Sequence, residues 1–168
     1  MTNRNLIESY YRLHRDELLA FVSSRLGAGR HFLAEDMVQE VFLRLLGNER
    51  LVVSQETLPS LVFTMAANRV ADHYRHLYYQ WLHADCMRAS AQADYSIEPA
   101  VYAHETIARI ERRLSRLPQP CAEVYRLHLY GGMKVSEISR RLGQDYKAVE
   151  YRLGQARREV RQLLSASV

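Results

Sequence analysis

The stretch Lys134-Val135-Ser136-Glu137-Ile138-Ser139-Arg140-Arg141-Leu142-Gly143-Gln144-Asp145-Tyr146-Lys147-Ala148-Val149-Glu150-Tyr151-Arg152-Leu153 decides how this chain folds. Ile138 and Leu142 stand one helical turn apart and form the inner face of a short helix. Gly143 permits a sharp turn, and Asp145 is placed to accept backbone N–H groups as N-cap of a second helix. From there Val149, Leu153, Ala156, Val160 and Leu164 recur at helical spacing and give the second helix a single apolar face. Its opposite face presents Lys147, Tyr151 and Arg158, flanked by Ala148, Glu150, Gln155 and Arg161. This is the layout of a helix-turn-helix, in which the second helix enters the major groove and side chains near its start read base edges. Two helices packed around a glycine also occur where no DNA is bound, so charge has to decide between the readings.

The charge is unevenly divided. The formal net charge of +4 separates into 10 Lys/Arg against 12 Asp/Glu over residues 1–103, and 13 against 7 over residues 104–168. The first part is therefore at −2 and the second at +6. Lys134 and Lys147 are the only lysines, so the cations are nearly all arginine, whose planar guanidinium suits bidentate contact with phosphate or base edges. A basic, arginine-rich helix-turn-helix favours DNA as its partner.

Helical periodicity extends through the rest of the chain. Leu6, Tyr10, Leu13, Leu18, Phe21 and Val22 mark a first helical region that ends near Gly27-Ala28-Gly29. A second helix is expected from about His31 to Leu46, with Ala34, Val38, Val41, Phe42 and Leu45 on one face, ended by Gly47-Asn48. The segment from Glu49 to Thr57 is polar and irregular apart from Leu51-Val52-Val53. Pro59, tolerated in a first turn, suits a third helix from about Leu58 to Trp81. Periodicity fades between Ala84 and Ala100, which reads as a linker; a further exposed alanine-rich helix is the alternative. Beyond it, Ile107, Ile110, Leu114 and Leu117 mark a helix stopped by Pro118-Gln119-Pro120, and Val124, Leu127 and Leu129 a short one ended by Gly131-Gly132. The expected fold class is all-α: two small helical domains, 1–83 and 104–168, joined by a linker at 84–103. With seven glycines and four prolines, the chain has too few turn formers for an all-β architecture.

Composition excludes several classes of protein. No stretch approaches the roughly 20 apolar residues of a membrane helix, and no apolar segment of a secretory signal follows Met1-Thr2-Asn3-Arg4-Asn5, so the expected location is cytoplasmic, with no membrane insertion. Cys86 and Cys121 are too few for a disulfide framework.

The run from Leu117-Pro118 through Gly131-Gly132-Met133, followed by Glu137-Ile138-Ser139, Leu142-Gly143 and Val149-Glu150-Tyr151-Arg152-Leu153-Gly154-Gln155-Ala156-Arg157, resembles region 4 of bacterial sigma-70-family sigma factors of the extracytoplasmic-function group. Independently, Ala34-Glu35-Asp36-Met37-Val38-Gln39-Glu40-Val41-Phe42-Leu43-Arg44-Leu45 resembles region 2.2, the family's polymerase-docking helix. Thr64-Met65-Ala66-Ala67-Asn68-Arg69-Val70-Ala71-Asp72-His73-Tyr74-Arg75 is similar to regions 2.3 and 2.4, which open the promoter −10 element as single-stranded DNA. The likeness covers about residues 6–79 and 104–164.

The resemblance implies an alternative sigma factor that binds core RNA polymerase and directs promoter-specific initiation. Asp36, Gln39, Glu40 and Leu43 would meet the β′ clamp, and a second contact would fall on the β flap. Asn68, Arg69, His73 and Arg75, with the irregular loop Gly47 to Thr57, would handle the −10 strand, since an unstacked base needs aromatic, polar and cationic neighbours. Lys147, Glu150, Tyr151, Arg152, Gln155 and Arg158 would lie nearest the −35 duplex. An anti-sigma factor is a further implied partner, and the Val149-Glu150 pair is reminiscent of the iron-starvation branch. The sequence departs from the family in three places. His76-Leu77-Tyr78-Tyr79-Gln80-Trp81 stands where basic residues often follow Arg75, Gln144 replaces an apolar residue in the turn, and Glu150 a basic one. A stand-alone helix-turn-helix regulator with a helical sensor domain is the competing reading.

No catalytic chemistry is expected, because no nucleophile triad, phosphate loop or paired-carboxylate setting appears. His73, His76, His83 and Cys86 include pairs one helical turn apart that could ligate zinc, but they lie on an Arg- and Tyr-rich segment without a second ligand cluster. No cofactor or metal is therefore expected.

Overall fold

Burial of one apolar stripe per helix builds the fold. The computed structural model describes residues 3–48, 51, 53–88 and 97–166, and among them the secondary structure is entirely helical. The helices are α1 (Asn3–Leu26), α2 (His31–Leu46), α3 (Leu58–Arg88), α4 (Ile97–Leu114), α5 (Gln119–Leu129), α6 (Val135–Leu142) and α7 (Tyr146–Ser165). The all-α expectation holds, and the starts of α2, α3, α6 and α7 fall where the caps and breakers put them. Helix α3 runs on to Arg88, past the Trp81 expected from periodicity, and α4 already begins at Ile97. Between Ser60 and Glu98 no glycine or proline interrupts the chain, and Pro99 lies in the first turn of α4, where its missing N–H costs nothing.

Two units divide the chain, Met1–Ala71 with Leu164–Val168, and Asp72–Leu163, so the boundary falls within α3. In the first unit, Ile7, Leu18, Val22 and Leu26 of α1 are buried, as are Ala34, Met37, Val38, Val41, Phe42 and Leu45 of α2. Leu58, Val62, Ala66 and Val70 complete this core from α3. Each fully buried Leu, Ile, Val, Phe or Met contributes about 1.5–3 kcal/mol. Aromatic edges fix the helix faces: Tyr11 meets Phe42 at 4.8 Å and Phe21 meets Phe63 at 4.9 Å.

The second unit buries Ile107, Ile110 and Leu114 of α4, Val124, Tyr125 and Leu129 of α5, Ile138 of α6, and Val149, Leu153, Ala156 and Val160 of α7. Arg126 donates through both Nε (2.9 Å) and Nη2 (2.6 Å) to one oxygen of Glu111, tying α5 to α4. Arg113 and Glu159 pair at 2.6 Å between α4 and α7. Tyr78, from the second half of α3, stacks flat on Tyr130 with centroids 3.9 Å apart, so one of the aromatics that follow Arg75 serves packing.

The helix-turn-helix is closed by local hydrogen bonds. Glu137 accepts from the Lys134 backbone N–H at 2.7 Å and so caps the start of α6. Gly143 adopts φ 61°, ψ 32°, the left-handed conformation that ends a helix, and Gln144 N–H donates back to the Ser139 carbonyl at 3.1 Å. Asp145 Oδ2 then accepts from the N–H groups of Lys147 (3.0 Å) and Ala148 (3.3 Å), which is the expected N-cap of α7. The Gln144 side chain is not wasted in the turn, because its Oε1 accepts from Arg152 Nη1.

Space does not restrict a side chain at position 143, since a Cβ there meets nothing within 4 Å; only the backbone angle does. Gly143→Ala is therefore expected to lower stability by about 1–2 kcal/mol, and Gly143→Asn by less, because asparagine tolerates the left-handed region. Urea denaturation of the full chain measures both. Equal stability of Gly143→Ala and the parent would contradict the conformational argument.

Candidate functional site

The outward face of α2 is the complement of its buried stripe. Asp36, Gln39 and Leu43, three of the four expected docking residues, are exposed on it, Leu43 by 68%. Two residues that the sequence reading passed over extend the same face: Phe32 at 82% exposure and Leu46 at 38%. Their spacing, Phe32-Asp36-Gln39-Leu43-Leu46, is that of one helix stripe, a signal present in the sequence but masked by the stronger buried stripe beside it. Gln39, Leu43 and Leu46 also border a groove of about 340 Å³, with Ile7 and Tyr11 on its α1 side.

Glu40 is placed differently. Its Oε2 accepts from Arg69 Nε of α3 at 2.6 Å and its Oε1 from Arg44 Nη2 at 2.6 Å. The Arg69 hydrogen bond, with the charges of Arg69 and Arg44, holds the carboxyl below its ordinary range against the opposing effect of partial burial. A residue expected at the polymerase and one expected at the −10 strand are thus brought together as an α2–α3 brace.

The other −10 candidates spread over α3. Asn68 is exposed on the α3 segment of the first unit, and Asp72, His76 and Tyr79 are exposed on that of the second. Arg75 Nη1 pairs with Asp72 Oδ1, so the two charges offset each other. His73 is half-buried with its ring 5.5 Å from that of Tyr74, and His76 hydrogen-bonds Gln80 at 2.9 Å. Among the described residues no group of three or more His, Cys, Asp or Glu is arranged to hold a metal ion. The Cys86 side chain lies outside the described residues.

Side-chain hydrogen bonds hold described residues of the segment between α2 and α3. Asn3, at the start of α1, donates through Nδ2 to the Leu51 carbonyl and accepts at Oδ1 from Val53 N–H at 3.1 Å. Ser54 and Thr57 exchange reciprocal bonds, Ser54 N–H to Thr57 Oγ1 at 3.1 Å and Thr57 N–H to Ser54 Oγ at 3.2 Å. No local pattern announces the Asn3 clamp, which joins residues about fifty positions apart in the chain.

On α7, Lys147, Glu150, Tyr151 and Arg158 are exposed, Tyr151 by 64%. Arg152 and Gln155 are half-buried and engaged within the protein, Arg152 with Gln144 and Gln155 with Tyr151 and Cys121. Behind this face His128 donates from Nδ1 to the Met133 carbonyl at 2.8 Å and accepts at Nε2 from Arg157 at 2.7 Å. Burial, with the Arg157 and Arg75 charges, lowers its pKa and keeps the ring neutral in that linking role.

Comparison with known proteins meets this geometry. Residues 10–78 match the family model for Sigma-70 region 2 and residues 107–160 that for Sigma-70, region 4. The chain is 22% identical over 158 residues, 94% of its own length and 86% of the relative's, to RNA polymerase sigma factor SigZ of Bacillus subtilis (strain 168). Among solved structures, the 1.8 Å structure of the RsbN-BldN complex is similar at 21% identity, covering 94% of this chain and 91% of that chain with a TM-score of 0.35. The chain belongs to the sigma-70 family of RNA polymerase sigma factors. It is an alternative sigma factor, a transcription initiation factor that binds core RNA polymerase and promoter DNA and directs promoter-specific initiation. That answers the competing reading of a stand-alone regulator.

The Glu40 brace has a pH signature. Because its folded pKa is depressed, its stabilising contribution is fully present above the unfolded value of 4.5 and is lost as pH falls from there through the folded value. Glu40→Gln should be less stable than the parent at pH 7, with the difference shrinking as pH drops below about 4.5. Urea unfolding of both proteins between pH 7 and pH 3 checks this, and a difference constant across that range would contradict it.

Proposed function

We propose that the exposed stripe of α2 docks on core polymerase and that the exposed face of α7 reads the −35 duplex. The observation that carries the docking half is the exposure of Phe32, Leu43 and Leu46 alongside Asp36 and Gln39 on one helix face. Large apolar side chains rimmed by polar ones mark a protein interface, and the acidic component suits a basic partner helix such as the β′ clamp. A second contact, to the β flap, belongs to the region 4 unit.

The −10 strand is assigned to the exposed face of α3 around Asn68 and to the loop residues that Asn3 holds, and His73 and Arg75 are assigned to the same strand. Arg69 contributes by aligning α3 through Glu40. On α7, Lys147, Tyr151 and Arg158 face the duplex, Glu150 among them discriminates against phosphate, and Arg152 acts from the edge of the turn. Working boundaries of 1–83, 84–103 and 104–168 separate the two promoter-reading parts. The protein works in the cytoplasm without catalysis, under an anti-sigma partner that covers the α2 stripe. The Val149-Glu150 pair supports placement in the iron-starvation branch.

The docking assignment is tested by Asp36→Arg combined with Leu43→Arg. Both side chains are exposed, so folding should be intact by circular dichroism, while affinity for purified core polymerase should fall by roughly thirtyfold or more. Glu40→Arg would be a poorer probe, because it also breaks the α2–α3 brace. Unchanged core binding by the double variant would remove the α2 stripe as the contact.

A further inference from the structure

Three side chains on the α5–α7 side of the helix-turn-helix form a chain of hydrogen bonds from core to surface. Cys121, in the first turn of α5 and only 4% exposed, donates from Sγ to Gln155 Oε1 at 3.3 Å. Gln155 in turn donates from Nε2 to the Tyr151 hydroxyl at 3.0 Å, one turn back along α7. Tyr151 carries the chain out to the surface, where it is 64% exposed on the face that bears Lys147 and Arg158.

Each link has a direction. A thiol has one proton to give, an amide oxygen can only accept, and an amide nitrogen can only donate. Once Cys121 occupies the oxygen end of Gln155, the amide is turned so that its N–H faces Tyr151. The tyrosine oxygen is then an acceptor within the protein, and its own proton points outward as a donor. Without the anchor, the Gln155 amide could present either end, and the tyrosine hydroxyl would have no fixed polarity.

We propose that Cys121 and Gln155 are positioning residues that make Tyr151 a one-way hydrogen-bond donor to a base edge in the −35 element. In the major groove the acceptors are purine N7, guanine O6 and thymine O4, whereas cytosine offers a donor, N4–H. The base beneath Tyr151 is therefore a purine or thymine, and cytosine is rejected because two donors would face each other. This rests on the assignment of α7 to the −35 duplex. It changes the part played by Gln155, which reads DNA through Tyr151 and not by its own contact.

The experiment uses holoenzyme reconstituted from the full chain and core polymerase, and a duplex promoter library randomised through the −35 element, with the bound fraction sequenced. The parent should show one position at which cytosine is depleted by roughly three- to tenfold, the range of a single hydrogen bond. Tyr151→Phe should abolish the depletion at that position and leave the others unchanged. Cys121→Val, which keeps the buried volume but has no proton to give, should weaken the same position, and Cys121→Ser should restore it. Cys121→Val added to Tyr151→Phe should change nothing further.

Thermal melts of the cysteine variants show whether a loss reflects folding, and rescue by serine is an effect that a packing role would not produce. The proposal is overturned if Cys121→Val leaves the position untouched while Tyr151→Phe alters it, or if cytosine is enriched there, which would mean the opposite polarity. It is equally overturned if Tyr151→Phe weakens all positions alike, as a phosphate contact would. If the parent holoenzyme selects no −35 sequence at all, the assignment of α7 to the duplex fails first and takes this proposal with it.

Discussion

A short amphipathic helix can bury only one stripe, and that constraint shapes both surfaces proposed to meet partners. In α2 the stripe Ala34, Met37, Val38, Val41, Phe42 and Leu45 is taken up by the core, so Phe32, Asp36, Gln39, Leu43 and Leu46 are left outside. In α7 the stripe Val149, Leu153, Ala156 and Val160 is buried, and Lys147, Glu150, Tyr151 and Arg158 are turned outward. The same packing that holds each unit together thus also selects which side chains a partner meets. An outward apolar residue such as Leu43 does nothing for the core, and in the proposed docking its exposure is offset by what it contacts.

Charge is distributed by a second rule. Several arginines are committed inside the molecule: Arg69 to Glu40, Arg75 to Asp72, Arg113 to Glu159 and Arg126 to Glu111. Such half-exposed pairs are each worth little in stability, on the order of 0–1 kcal/mol, and their value lies in setting helix register. Net charge from the sequence therefore overstates what is offered to DNA. The surplus that remains outward on the recognition helix is carried by residues such as Lys147 and Arg158, on a face whose polar residues are already oriented by Gln144, Gln155 and Cys121.

Features governed by neighbours in sequence were legible before the structure. The bounds of α2, the end of α6 and the starts of α3 and α7 follow from Gly27-Ala28-Gly29, Gly47, Pro59, Gly143 and the Asp145 side chain, each acting on backbone next to it. The length of α3 was not, because amphipathicity fades from Ala84 although no glycine or proline stands between there and Arg88 to end the helix. Contacts between distant residues were also hidden. Glu40 lies 29 residues from Arg69, and sequence alone points the two to separate partners although they are bonded to each other. Asn3 and its loop belong to the same class. Gln144, a departure from the family's turn, acquires a purpose only when Arg152 is seen to lie against it.

The account turns on a division of labour between the outward faces of α2 and α7. Site-specific photocrosslinking in the assembled holoenzyme–promoter complex tests it most directly, with p-benzoylphenylalanine replacing Leu43 in one preparation and Lys147 in another. The account predicts that the probe at 43 captures a large polymerase subunit and no DNA, while the probe at 147 captures duplex DNA upstream of the start site. Capture of DNA at 43, or of polypeptide alone at 147, would contradict it.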